Sequence, residues 1–200
     1  MPLSTVSIWP VLVWVTGGTG PYNPGKLVLQ GIIVVVVQHR LGPLGFLCLN
    51  EEKIPGNAGV KDVVLALRWV KDNIVAFKGN PAKVTVAGQG FGAAMVEALM
   101  LSPMTHGLFH GAILQSGTIL SPWAFNYDAK ERARQLGEMF PESDNITSVL
   151  YAAEGLDLAE KFKKIDVPYF PFGICIEKSF KNEERFLSES PFHLLSNKKV

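Results

Sequence analysis

Four short apolar runs constrain the fold of this chain more than any other feature. They lie at residues 11–15, 32–37, 84–87 and 112–114. None of them alternates polar with apolar residues, so each is expected to be buried on both faces, as strands of a parallel sheet are. Apolar residues at helical spacing follow the second and third runs, at residues 61–74 and 92–100. This order predicts an α/β fold with a mostly parallel central sheet flanked by helices.

The pattern changes in the last third of the chain. Short amphipathic segments occupy residues 129–139, 146–153 and 156–163, and a stretch rich in Pro and Phe follows at 167–172. We interpret this part as a helical excursion or cap. At 200 residues, against about 150 per domain, we expect one domain, with core strands and helices over 10–125 and the helical segment over 126–200.

Composition and charge exclude several classes of protein. Hydrophobic residues make up 48% and charged residues 18%, which excludes a disordered chain. The net charge of +1 is too small to attract nucleic acid electrostatically. The apolar runs fall far short of the ~20 residues that span a bilayer, and residues 8–15 lack the basic flank of a signal peptide. We therefore expect no nucleic-acid partner and no membrane span, and localisation stays open.

The two cysteines, Cys48 and Cys175, allow at most one disulfide and form no metal-ligand spacing. The sequence leaves the redox compartment undetermined. Cys48 follows an apolar run, and a free cysteine is among the most buried residue types, so we interpret Cys48 as an inert buried thiol. No metal is expected.

The sequence Gly88-Gln89-Gly90-Phe91-Gly92 lies directly between the third predicted strand and the second predicted helix. A nucleophile elbow requires this context, because small residues permit the sharp turn that lifts the central side chain above the sheet. A phosphate-binding loop is the alternative use of such glycines. The segment lacks the Gly-Lys-Ser/Thr ending and the dinucleotide spacing that phosphate loops use.

Further motifs occur in order along the chain. They occupy residues 10–18, 39–47, 54–62, 66–70, 77–81, 101–104, 108–109 and 115–117, including His39-Arg-Leu-Gly-Pro-Leu-Gly-Phe-Leu47 and Ile54-Pro-Gly-Asn-Ala-Gly-Val-Lys-Asp62. Together they resemble the type-B carboxylesterase/cholinesterase family of the α/β-hydrolase fold. Matching motifs are closely spaced from about residue 10 to residue 123, and the resemblance continues more weakly to about residue 195. It implies a partial α/β-hydrolase fold and cofactor-free serine esterase chemistry.

The chain departs from this family at the catalytic positions. Where the family has a GESAG elbow, this chain has Gly90 in place of the nucleophilic serine and Phe91 in place of the small residue after it. The family's HGGG oxyanion segment becomes Thr16-Gly17-Gly18-Thr19, so we expect a crowded oxyanion hole. The resemblance places the catalytic acid and histidine downstream of residue 200. Losing the serine of a hydrolase costs about 10⁶ in turnover, so we predict no ester hydrolysis.

Other positions carry expectations from the same resemblance. Ser116 matches a serine behind the triad and is expected to make a supporting hydrogen bond, and Arg40 and Asp62 match an internal ion pair. Trp123 matches an acyl-pocket tryptophan, although simple core packing is the alternative. Asn145-Ile-Thr is a glycosylation acceptor pattern, which has meaning only in the secretory pathway.

Three functions remain open on the sequence alone. The first is a non-catalytic binding or adhesion module, as neuroligin-like relatives are, with a protein partner or a small apolar ester-like ligand. The second is a non-functional fragment of an esterase-like protein, because the family domain exceeds 500 residues and both sheet edges would be open. The third is an ester hydrolase with a rewired site.

Overall fold

A parallel β-sheet forms the centre of the chain. We describe it from a computed structural model that covers residues 8–18, 22–140, 145–167, 169–181 and 183–197. Within these residues the sheet has strands β1 (Trp9–Val15), β2 (Ile33–Val37), β3 (Gly79–Gln89) and β4 (Gly111–Gln115), in the order β2-β1-β3-β4. All three pairings are parallel. The predicted α/β class is confirmed, and each predicted strand is present.

Burial is greatest in the middle of the sheet. Val84, Val86 and Ala87 of β3 are all buried, as their continuous apolar run predicts. The edge strand β4 differs, since Ile113 is 45% and Leu114 37% exposed. The expectation of burial on both faces is therefore wrong for β4, because Ile113 and Leu114 are adjacent residues on opposite faces of this edge strand, and the described elements leave both faces partly uncovered.

Two longer helices connect the strands. Helix α3 (Ala58–Asn73) crosses from β2 to β3, and its apolar residues at helical spacing are buried along one side. Helix α4 (Phe91–Leu101) connects β3 to β4 and is mostly buried. The helices predicted at 61–74 and 92–100 are confirmed. Helix α3 begins earlier than predicted, directly after Asn57, which adopts a left-handed conformation (φ 58°).

Shorter helices complete the fold. Helices α1 (Gly25–Val28) and α2 (Gly42–Phe46) flank β2, and α5 (Ala129–Gly137), α6 (Ile146–Ala152), α7 (Gly155–Lys161) and α8 (Pro191–Asn197) lie in the last third. Single 3-10 turns occupy Ile74–Phe77, Pro103–Thr105 and Phe162–Lys164. The last third packs into the same core, since Phe172, Ile174 and Phe186 are buried with the sheet residues. None of the described helices has the length and apolar character needed to cross a membrane.

Cys48 and Cys175 form a disulfide that joins the segment after α2 to the last third of the chain. Cys48 is buried, as the sequence indicates, and it is paired with Cys175, a pairing that the sequence left open. Both cysteines are buried, and Gly56 lies against both sulfurs. A Cβ at Gly56 would lie 2.6 Å from one Sγ and 2.7 Å from the other. The pairing depends on the position in space of residue 175, which spacing along the sequence does not reveal.

A buried polar network holds the same two segments together. The side chain of Asn57 accepts from the Cys175 N–H at 2.9 Å and donates to the Cys175 carbonyl at 2.8 Å. It also donates to Oε1 of Glu177 at 2.8 Å. Oε2 of Glu177 accepts from the Phe186 N–H and lies 3.0 Å from Nζ of Lys61. Burial of the Glu177 carboxylate is thus compensated by hydrogen bonds and one opposite charge.

Candidate functional site

Gly90 alone forms the turn between β3 and α4. Its backbone has φ 57° and ψ −121°, a conformation that residues with a side chain rarely adopt. The Gly90 N–H donates to the Gln115 carbonyl at 3.0 Å, and its carbonyl accepts from the Ala94 N–H at 3.1 Å. Strand β4, through Gln115, and helix α4, through Ala94, therefore both hold Gly90 in place. The backbone of the predicted elbow is present.

The glycines around Gly90 are closely packed. A Cβ on Gly88 would lie 2.4 Å from the carbonyl carbon of Gly92, and one on Gly92 would lie 2.4 Å from the Val15 carbonyl oxygen. A Cβ on Gly117 would lie 2.1 Å from the Gly90 carbonyl oxygen. At Gly90 itself an added Cβ would meet no atom within 4 Å. The structure thus leaves space for a side chain at the nucleophile position, and the sequence supplies none.

The loop after β1 borders the elbow. A Cβ on Gly17 would lie 3.0 Å from both the Gln89 carbonyl oxygen and the Gly92 nitrogen, so the Gly17 backbone lies against the turn. Thr16 is buried, and its hydroxyl donates to the Val37 carbonyl at 3.2 Å. The Thr16 hydroxyl is thus bound to β2, and the crowding of the oxyanion hole stays a prediction. Thr19 lies outside the described residues.

His39 holds this loop from the other side. Its Nε2 lies 2.7 Å from the Thr16 carbonyl oxygen, and its Nδ1 lies 3.0 Å from the Arg40 carbonyl oxygen. Both ring nitrogens thus face main-chain acceptors. Sequence reasoning gave this residue no role. The available signal was a histidine two residues after β2, at the end of the sheet where the loop after β1 also lies.

An apolar cavity of about 260 Å³ opens beside the elbow. Phenylalanine rings dominate its lining, and no charged side chain takes part. The lining consists of Gly17, Gly18, Leu41, Gly42, Phe46, Phe91, Phe162, Phe170, Pro171 and Phe172. Phe91 packs edge-on against Phe46, with ring centroids 5.3 Å apart, so its ring forms part of the cavity wall. The Pro/Phe-rich stretch noted in the sequence supplies the opposite wall.

Ser116 and Trp123 lie apart from this cavity wall. Ser116 is exposed and has φ 53°, and within the described part of the chain its hydroxyl makes no hydrogen bond. The supporting hydrogen bond expected from the resemblance is thus not formed. Trp123 is half-buried and lines a different cavity, of about 290 Å³, together with Tyr127 and Phe170.

Arg40 and Asp62 form the ion pair that the resemblance implies. Nη2 of Arg40 lies 2.6 Å from Oδ1 of Asp62, and its Nε and backbone N–H both donate to Oδ2. Burial raises the pKa of Asp62, but the hydrogen bonds and charge of Arg40 outweigh it and leave that pKa lowered. The side chains are 56% and 25% exposed. The cost of about 3–5 kcal/mol for breaking a buried pair therefore does not apply.

A larger cavity, of about 720 Å³, lies at a distance from the elbow. It opens between α2, the start of α3 and helices α6 and α7, with Leu44, Ile54 and Leu150 in its lining and Lys53 at its rim. None of the elbow residues lines it. No cluster of three or more His, Cys, Asp or Glu side chains suited to a metal occurs among the described residues.

A parallel sheet whose third strand turns sharply through one residue into a helix is typical of the α/β-hydrolase class. The model of the carboxylesterase family matches residues 3–200. The chain belongs to the carboxylesterase family, whose reaction is the hydrolysis of carboxylic esters.

Individual relatives agree with this assignment. Venom carboxylesterase-6 of Apis mellifera is 34% identical over 205 residues, which cover 96% of this chain and 36% of that protein. Carboxylesterase 3 of Homo sapiens is 40% identical over 197 residues, covering 92% and 34% respectively. The crystal structure of juvenile hormone esterase from Manduca sexta, with OTFP covalently attached, superposes with a TM-score of 0.82 at 31% identity, covering 94% of this chain and 38% of the esterase. The chain thus spans about a third of the length of these relatives.

Proposed function

We propose that this chain binds small apolar molecules beside the elbow and does not hydrolyse esters. One observation carries the proposal: Gly90 occupies the turn where the family's nucleophile belongs, and it has no side chain to attack a carbonyl carbon. Covalent ester hydrolysis requires an oxygen or sulfur nucleophile activated by a neighbouring base. Without the serine, a hydrolase retains only about 10³–10⁴-fold acceleration over water, from binding and the oxyanion hole.

Nearby hydroxyls do not replace the missing serine. The Thr16 hydroxyl is buried and donates to the Val37 carbonyl, so it points away from the elbow cavity. Ser116 is exposed after β4 and does not line that cavity. An ester hydrolase with a rewired site would need a nucleophile such as one of these hydroxyls. Neither has a described hydrogen bond to a histidine that could act as its base.

The cavity supports the binding half of the proposal. Its volume of about 260 Å³ lies just below the ~300–1,000 Å³ of pockets for drug-sized ligands, so its occupant is small. Five phenylalanine rings favour an uncharged apolar molecule, because a charge there would lose its hydration without gaining a partner. A short ester or a single aromatic ring meets both requirements.

Labelling with a fluorophosphonate tests the loss of catalysis. The reagent transfers its phosphonyl group to an activated hydroxyl oxygen, with release of fluoride and a proton. We expect no adduct in the intact mass of the protein and no release of nitrophenol from p-nitrophenyl acetate above buffer. An adduct that disappears in the Ser116→Ala variant would establish the rewired hydrolase instead.

Calorimetric titration with phenyl acetate tests binding. We expect saturable binding that weakens at least tenfold in Phe91→Trp, because the larger indole fills the cavity that Phe91 borders. Ser116→Ala is the matched control, since Ser116 does not line the cavity, and it should bind as the unmodified chain does. Absence of saturable binding, or equal affinity in both variants, would contradict the proposal.

A further inference from the structure

Three side chains form a buried cluster at the start of α3, and none of them lines the elbow cavity. The carboxylate of Glu177 lies between Asn57, the residue before α3, and Lys61, in the first turn of that helix. We propose that Lys61 and Asn57 become joined by an intramolecular isopeptide bond, formed without an enzyme and with loss of ammonia. This modification is independent of whether the elbow cavity binds a ligand.

Glu177 holds the two reacting nitrogens on one carboxylate. Its Oε1 accepts from Nδ2 of Asn57 at 2.8 Å, and its Oε2 lies 3.0 Å from Nζ of Lys61. The Lys61 N–H also donates to the Asn57 carbonyl at 2.9 Å, so the two residues are neighbours across one helical turn. The lysine stem is flexible, which allows Nζ to move from Oε2 to the ~3–3.5 Å from Cγ of Asn57 that bond formation requires.

The amide of Asn57 is arranged as an electrophile. Its Oδ1 accepts from the Cys175 N–H at 2.9 Å, and negative charge develops on this oxygen when a nucleophile adds to Cγ. A main-chain donor fixed at that oxygen stabilises the charge, as the donors of an oxyanion hole do. Nδ2 donates to the Cys175 carbonyl and to Glu177, so the whole amide group is held in one orientation.

Burial favours attack by the lysine over attack by water. Asn57 is 0% and Glu177 3% exposed, and the Lys61 side chain is 23% exposed. A closed site excludes the water that would otherwise hydrolyse the amide at Cγ. The lysine nitrogen is therefore the nucleophile with access to this carbon.

The reaction balances within these three side chains. Nζ of Lys61 loses two protons, in turn, to the Glu177 carboxylate, and its lone pair forms the bond to Cγ of Asn57. The bond from Cγ to Nδ2 breaks, and Nδ2 receives both protons from Glu177 and leaves as ammonium. Glu177 ends as it began, and the N–H of the new amide donates to it in place of the two original nitrogens. Cys175 retains the hydrogen bond to Oδ1 and loses the one from Nδ2.

Mass spectrometry of the folded full chain tests the bond. After reduction of the disulfide, we expect the intact mass to be lower than that of the polypeptide by one ammonia. Trypsin does not cleave after a lysine whose Nζ is acylated, so one peptide over residues 54–68, lighter by one ammonia, should replace the peptides 54–61 and 62–68. A chain that is folded by circular dichroism, has the full polypeptide mass and is cleaved after Lys61 would overturn the proposal. Loss of ammonia with cleavage after Lys61 retained would overturn it too, since a succinimide at an asparagine gives that result.

Two matched variants identify the reacting lysine. Lys61→Arg retains a positive charge beside Glu177, but a guanidinium does not deprotonate in proteins, so this variant should fold and keep the full polypeptide mass. Lys71→Arg makes the same exchange at a lysine of α3 that donates to the Gly107 carbonyl, and it should lose ammonia as the unmodified chain does. Loss of ammonia from Lys61→Arg would place the reaction elsewhere and refute the assignment.

A third variant tests the role of the carboxylate. Glu177→Gln keeps the size of the side chain but cannot take protons from Nζ, so it should remain at the polypeptide mass under conditions that complete the reaction in the unmodified chain. Complete loss of ammonia from Glu177→Gln would refute proton transfer through Glu177. Lys61→Arg leaves Glu177 and its hydrogen bond to Asn57 in place, so it tests the bond even where Glu177→Gln does not fold.

Discussion

The elbow glycines should differ sharply in their tolerance of a methyl group. At Gly90 an added Cβ meets no atom within 4 Å, so Gly90→Ala introduces only the strain of a backbone at φ 57° and ψ −121°, which costs about 1–3 kcal/mol. At Gly88 the Cβ would lie 2.4 Å from the Gly92 carbonyl carbon and 2.5 Å from its oxygen. These are backbone atoms, so the turn itself must move, and we expect a cost of about 3 kcal/mol or more.

Thermal unfolding followed by circular dichroism measures this difference. For a chain of this size 1 kcal/mol corresponds to about 2–4 °C in Tm, so Gly90→Ala should lower the Tm by about 2–12 °C. Gly88→Ala should lower it further, or prevent folding. Equal losses, or a larger loss for Gly90→Ala, would show that the turn does not have the described geometry. A serine at position 90 should behave as alanine does, because the same space receives its hydroxyl.

The remaining predictions concern the ion pair, the disulfide and the cavity. Asp62→Asn should destabilise the chain by about 1 kcal/mol at pH 7, since the pair with Arg40 is partly exposed. Because the pKa of Asp62 is lowered in the folded chain, this difference is present above about pH 4, the ordinary aspartate value, and is lost as pH falls through the lowered pKa; urea unfolding of both proteins at pH 7 and pH 3 measures it. Replacing Cys48 and Cys175 together by alanine should lower the unfolding free energy by up to about 5 kcal/mol, the loop-entropy value for a separation of 127 residues. Reductant should then have no further effect on that variant's urea midpoint. Phe91→Ala should enlarge the elbow cavity and let apolar esters larger than phenyl acetate bind, which titration calorimetry detects.

Local patterns predicted the elements that local physics determines. The run of apolar and β-branched residues at 84–87 lies within β3, and the apolar residues at helical spacing over 61–74 lie within α3. Both were predictable because the burial of a strand or of one side of a helix determines the type of a few neighbouring residues. The glycines at 88, 90 and 92 likewise placed the elbow, because a turn this sharp leaves no room for a Cβ at the flanking positions 88 and 92.

Contacts between distant segments could not be predicted in the same way. The Cys48–Cys175 bond and the Asn57–Glu177 hydrogen bond depend on how the last third of the chain returns to α3. The direction of the Thr16 hydroxyl depends on the adjacent strand β2, whose Val37 carbonyl accepts its proton. Each of these contacts depends on tertiary packing, so the spacing of residues within a short segment does not predict it.

Glycine at position 90 changes the energetics of the elbow as well as its chemistry. A side chain at φ 57° and ψ −121° would store about 1–3 kcal/mol of strain in the turn, and glycine releases it. The larger conformational entropy of glycine in the unfolded chain offsets roughly 0.5–1 kcal/mol of that gain. The residue that removes the nucleophile is therefore neutral to stabilising for the turn, while the strain that catalysis would require is absent. A site whose backbone is relaxed and whose cavity remains open is suited to holding a ligand and not to attacking it.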